Sequence, residues 1–175
     1  YLYLPETLPT RVKQLSLEIT DGIEHPVDKA LAIETFLRDT GGFTYSQDIN
    51  QPPSDGDSVD WFLFDTKIGY SDYFASAMTV MMRAVDVPSR MAVGYASGEL
   101  IEEGYRSVKD SDSHGWTQVY FPEYGWIDFE PTPKWDKLNR SFERKGISGV
   151  GESDLADLLL ENNLSLDSID EFIEP

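Results

Sequence analysis

Three polar residues far apart in the chain, Ser71, His114 and Glu130, have types that together could move a proton and attack a carbonyl. In such a set a carboxylate orients an imidazole, the imidazole takes a proton, and the third side chain becomes the nucleophile. The stretch TKIGYSDYFASAM places Ser71 at the opening of a helical pattern. A helix start carries unpaired amides and partial positive charge, which stabilise a thiolate or a developing oxyanion. Such a site lowers the pKa of a thiol, whereas a serine hydroxyl starts far higher and gains much less. Serine is also a leading N-cap residue, so helix capping is the plainer expectation for Ser71 on local sequence alone.

The elements that must bring these residues together follow from the periodicity. Val12, Leu15 and Ile19 recur at helical spacing in PTRVKQLSLEIT, residues 9 to 20. Pro26 fits a first helical turn, the stripe Val27, Ala30, Leu31, Ile33, Phe36, Leu37 follows, and Gly41-Gly42 stops it. FTYS reads as a short strand and QDINQPPSDGDS as a polar loop. The helix from Ser71 to Val85 is the most apolar, with Phe74, Ala75, Met78, Met81, Met82 and Val85, and reads as central. The three methionines are expected to be core packing. Beyond Pro88 the period changes to two, and residues 90–96, 105–109, 115–121 and 125–130 read as strands. The PEYG turn makes the last two a hairpin. That hairpin brings His114, just ahead of one strand, beside Glu130 at the end of the next. Asp128 competes with Glu130, because alternation puts both on one face. Helices first and strands afterwards predict an α+β domain, with a central helix packed on an antiparallel sheet and a helical N-terminal part.

Several motifs carry a family resemblance. GYSDYFASAMTVMMRAVDVPSRMAVGYASGE resembles the nucleophile segment of the transglutaminase-like superfamily: Gly-x-Cys-x-x-Phe-Ala, an apolar helix, Arg-Ala-x-x-x-Pro-x-Arg and Val-x-Gly-Tyr. DSHGWTQVYFPEYGWIDFEPTP resembles its histidine and acid motifs. Order and spacing agree across residues 40 to 133. YLYLPETLP and the helix after it resemble a bacterial branch whose domain is held between transmembrane segments. The resemblance implies a papain-like, transglutaminase-type core, with Ser71 at the nucleophilic cysteine position, His114 at the general-base position and Glu130 at the acid position. Trp116, two residues after the histidine, belongs to the same motif. An oxyanion donor is implied upstream of the nucleophile, with Trp61 and Tyr45 as candidates. The serine departs from the family's thiol. It is either a substitution that silences the enzyme or a natural residue of a weak or inactive one. Glutamate for aspartate at the acid position is a milder departure.

The implied chemistry is acyl transfer from a glutamine carboxamide through a thioester, ending in crosslinking or deamidation. A papain-like peptide hydrolase and a non-catalytic peptide-binding module are the alternatives. The implied partner is a protein or peptide substrate. Some animal relatives use calcium, but no acidic run here has calcium-loop spacing, so neither metal nor cofactor is expected.

Composition bounds these readings. With 175 residues, 40% of them hydrophobic and 13% aromatic, the chain is large enough to bury roughly two-thirds of its unfolded surface. A net charge of −18 repels phosphate backbones, so nucleic-acid binding is disfavoured. The absence of cysteine removes disulfides and thiolate metal sites. Residues 1–133 are expected to form the transglutaminase-like domain and 134–175 an acidic extension or linker. The latter holds Leu155 to Leu160 and Ile169 to Ile173 as possible short helices. His25 is expected at the surface beside a helix start. The missing initiator methionine suggests a piece of a longer protein, and the branch resemblance implies an extracytoplasmic domain of a membrane-embedded parent.

Overall fold

A computed structural model describes residues 1 to 135, apart from Asp55, Glu103 and Glu123. The readings for the acidic tail, including its two possible short helices, lie outside the described residues.

Four helical elements precede the main sheet. Helix α1 spans Thr10–Ile19 and α2 spans Pro26–Thr35, with Pro26 at its first position and a wider π-helical turn, Phe36–Thr40, continuing it. Gly41 and Gly42 end this run for different reasons. A side chain at 41 would meet the Phe43 ring at 2.3 Å, and Gly42 takes the left-handed conformation at φ 75°. The stretch between the polar loop and Ser71 resolves further. Helix α3, Ser58–Trp61, is capped by Asp57, which accepts from the amides of Val59 and Asp60, and a π-helical turn Phe62–Thr66 follows. Strand β1, Thr44–Tyr45, pairs in parallel with β2, Ile68–Gly69.

Helix α4, Ser71–Ala84, is central, as expected. Phe74, Met78, Met81 and Met82 are wholly buried in it. They meet Val12 of α1, Ile33 and Leu37 from the second helical run, Phe62 and Leu63 after α3, and Val119, Phe121 and Phe129 of the sheet. Its C-terminal turn ends at Asp86, which adopts a left-handed φ of 63° before Val87-Pro88.

Strand β3, Ser89–Tyr95, leads into a sheet of order β3-β6-β7, where β6 is Ser113–Phe121 and β7 is Gly125–Phe129, all antiparallel. The α+β architecture read from the sequence, with a central helix packed on an antiparallel sheet, is the one observed. Between β3 and β6 stands a separate hairpin, β4 (Glu99–Glu102) and β5 (Tyr105–Ser107), of which only the second strand was expected. Thr117, Val119 and Phe121 turn one face of β6 onto α4. The register places Met91, Val93 and Tyr95 of β3 on that same face, opposite Thr117, Gly115 and Ser113. Because α4 starts at the level of Gly115, Val93 and Tyr95 run past its end and are exposed.

Candidate active site

The start of α4 presents Ser71. Strand β2 delivers an extended Tyr70, at φ −104° and ψ −178°, and Tyr70 is the N-cap residue. Ser71 is therefore the first helical residue. The capping expectation for its side chain fails, because a residue already in the helix turns its side chain away from the amides ahead of it. Its Oγ instead accepts the amide of Gly115 on β6 at 3.2 Å and lies 3.4 Å from Asp72 Oδ1. Glycine gives this approach its room. A β-carbon at 115 would stand 2.8 Å from Asp72 Oδ1 and 2.9 Å from Met91 Cε. The amides that open α4 form the positive end of its dipole beside that oxygen, and the third of them, from Tyr73, is bonded to the Tyr70 carbonyl at 2.9 Å.

The residue before Gly115 is His114. It lies inside β6 rather than ahead of it, since the ladder with β3 continues to Ser113 opposite Tyr95. His114 and Glu130 are both buried, and His114 Nε2 is hydrogen-bonded to Glu130 Oε2. With Glu130 as a carboxylate, which only accepts, the ring proton of this bond is assigned to Nε2. Nδ1 is then the basic nitrogen, and it is buried with no hydrogen-bond partner among the described residues. Glu130 Oε1 accepts the amide of Thr132 at 3.0 Å. Both carboxylate oxygens are thus in use, one on the ring and one on the following turn.

Two tryptophans flank the imidazole. Trp116 stacks at 6.3 Å between centroids with an interplanar angle of 18°, and Trp135 lies closer, at 4.2 Å. Asp128, the alternative acid, accepts instead from Trp116 Nε1 at 2.9 Å and Gln118 Nε2 at 2.7 Å. It orients the flanking indole, and Glu130 takes the ring. Trp61 of α3 packs its ring against Tyr73, 6.2 Å away, on the first turn of α4. Tyr45 pairs with Gly69 just ahead of the helix start, and its hydroxyl accepts from Gln47 Nε2 at 3.3 Å. Tyr45, Ser46, Gln47, Ser111, Lys134 and Trp135 line an open groove of about 580 Å³.

Sequence reasoning missed Glu34, Arg38 and Trp135. Glu34 Oε1 accepts the main-chain amide of Glu130 at 2.8 Å. Arg38 donates to the carbonyls of Glu130, Thr132 and Trp135. The signal was present as two charges one helical turn apart on a helix with a buried stripe, a spacing that ordinarily reads as an exposed pair. Trp135 lay past the expected boundary at residue 133.

The transglutaminase-like superfamily matches residues 13–131. The chain is 43% identical over 138 residues to the uncharacterized protein YebA of Bacillus subtilis, covering 75% of this chain and 19% of that protein. It is 43% identical over 84 residues to a protein-glutamine gamma-glutamyltransferase of Pseudomonas aeruginosa, covering 47% of this chain and 13% of that protein. The periplasmic domain of TgpA from Pseudomonas aeruginosa superposes with a TM-score of 0.65 at 34% identity, over 74% of this chain and 44% of that domain. The chain thus spans less than a fifth of each of these two full-length relatives.

Proposed function

The chain belongs to the transglutaminase-like superfamily, and from that premise we propose that its fold carries an acyl-transfer site for a glutamine carboxamide, with residue 71 as the nucleophile position. One observation carries the reading. A single buried imidazole has one nitrogen committed to a carboxylate and the other without a partner among the described residues, one residue from the amide that touches Ser71 Oγ.

With a thiol at position 71, His114 Nδ1 takes its proton and the sulfur attacks the carboxamide carbon. The first amides of α4 stabilise the oxyanion. The C–N bond breaks, ammonia leaves with the proton from His114, and a thioester remains. Attack by an amine yields an isopeptide bond, and attack by water yields glutamate. Glu130 keeps the ring oriented, while Trp116 and Trp135 hold water away from the pair, where a charged hydrogen bond is stronger. The exposed Val93 and Tyr95 beside the helix start suit a protein substrate better than a small amide. As it stands, with a hydroxyl at 71, the chain lacks the nucleophile this chemistry uses. The hydroxyl favours one second reading, a peptide-binding module without turnover. We further propose an extracytoplasmic setting, supported by the likeness to a periplasmic domain. Among the described residues no helix is long and apolar enough to cross a membrane.

The test is Ser71→Cys incubated with a glutamine-bearing peptide, reading released ammonia. The expected result is release in Ser71→Cys, at least about 100-fold less in Ser71→Cys combined with His114→Ala, and none from the parent chain. A folded Ser71→Cys that releases nothing, or that ignores the loss of His114, contradicts the reading.

A further inference from the structure

The carboxylate that orients the imidazole is not held by its own strand. Strand β7 ends at Phe129, and Glu130 lies one residue beyond. Its grip comes from the second helical run. The buried Glu34 takes the amide of Glu130, and one turn later Arg38 donates Nη1 to the carbonyls of Glu130 at 2.6 Å and Thr132 at 3.0 Å. Arg38 Nη2 reaches the carbonyl of Trp135 at 2.7 Å. Arg38 sits in the π-helical turn Phe36–Thr40, closed by the Gly41 amide on the Phe36 carbonyl. Such wide turns recur at functional sites because they re-aim the side chains within them.

Where Arg38 spends its donors matters as much as how many it has. Its three hydrogen bonds go to main-chain carbonyls, so neither carboxylate oxygen of Glu130 is taken by the guanidinium. Oε1 stays with Thr132 and Oε2 with the ring. The arginine holds the main chain that carries the carboxylate without competing with the imidazole for its oxygens. The same side chain fixes Trp135, whose ring packs on His114. One residue outside the sheet thus sets both the acid and one wall of the ring's enclosure.

We propose that Arg38, with Glu34, is a positioning residue of the His114–Glu130 pair, a role that rests on the functional reading above and goes beyond it. The helical run and the segment 130–135 act as one unit. Loosening it releases the imidazole even when the fold persists.

The readout is the downfield proton NMR signal of a hydrogen-bonded ring N–H in the chain as it stands, where only two histidines compete for assignment. Glu130→Gln identifies the signal by moving or abolishing it. Arg38→Met is expected to remove the signal while circular dichroism stays native. Arg38→Lys, with fewer and unforked donors, is expected to broaden it, and Glu34→Gln, which keeps an acceptor oxygen, to retain it. Where Arg38→Met does not fold, Arg38→Lys decides. A sharp, unshifted signal in folded Arg38→Met or in Arg38→Lys overturns the positioning role while leaving the pair intact. Absence of any such signal in the parent chain overturns the pair, and the positioning role with it.

Discussion

The two halves of the candidate site are held by different forces. The helix start that presents Ser71 is fixed by hydrophobic packing, because α4 is clamped by Phe74, Met78, Met81 and Met82 between the N-terminal helices and the sheet. The strand exit that presents Glu130 is fixed by directional polar contacts from Glu34 and Arg38. Packing energy is large and non-directional. Buried hydrogen bonds contribute less to stability, but they specify position and are costly to leave half-made. The nucleophile half should therefore fail by unfolding, and the acid half by losing its geometry.

Four substitutions would break or sharpen that contrast. The largest effect is expected from Phe74→Ala. Its ring lies 4.9 Å from Phe62 and is fully buried, so a cavity there should cost about 3–5 kcal/mol in urea denaturation. Glu34→Ala comes next. It strands the buried amide of Glu130, at about 1–3 kcal/mol, and should disturb the His114 ring signal more than Phe74→Val does. A Phe74→Val variant that disturbs that signal more than Glu34→Ala would dissolve the distinction. Gly115→Ala should cost about 1 kcal/mol, near the low end for overpacking. Both atoms it meets, Asp72 Oδ1 and Met91 Cε, are movable side-chain ends. Its clearer signature is loss of the Ser71 contact, read as a shifted amide resonance of residue 115 in the variant relative to the parent chain.

The smallest effect tests whether burial, rather than charge pairing, governs the outer part of α2. Asp28 is buried, which pushes its carboxyl above the ordinary range, partly offset by His25. A carboxyl raised in the folded state binds its proton more tightly there than in the unfolded chain. Stability is therefore lost as pH rises from the ordinary aspartate range through the folded value. Asp28→Asn should raise the melting point slightly at pH 7, by an amount equivalent to about 0.5 kcal/mol, since the lost first-turn charge opposes the gain. Below about pH 3.9, the ordinary aspartate value, the gain should vanish. A larger gain in acid than at neutrality would reverse the sign and refute the burial argument.

The same division explains what could be read in the sequence. Apolar period alone located α4, the two N-terminal helices and the β6–β7 hairpin, because burial of one face imposes the pattern. It could not choose between Asp128 and Glu130, which share a face. The motif resemblance put Glu130 at the acid position, and in the structure Glu130 meets His114 while Asp128 meets Trp116 and Gln118. The placement of Ser71 one residue inside the helix was invisible as well, since Tyr70 has no capping side chain to mark the boundary. Helix α3 was hidden in a polar stretch, although Asp57 at its cap was a usable signal. Arg38 and Glu34 were illegible for a deeper reason. Their partners are main-chain atoms about ninety residues away, and main-chain atoms leave no trace in residue types.

The most direct measurement is the pH dependence of alkylation of Ser71→Cys by iodoacetamide. A thiol at this helix start that shares a proton with His114, as proposed, should react through a limb well below the free-thiol value of about 8.5, and His114→Ala should abolish that limb. A single rise near 8.5, unchanged by the loss of His114, would show that residues 71 and 114 do not share a proton.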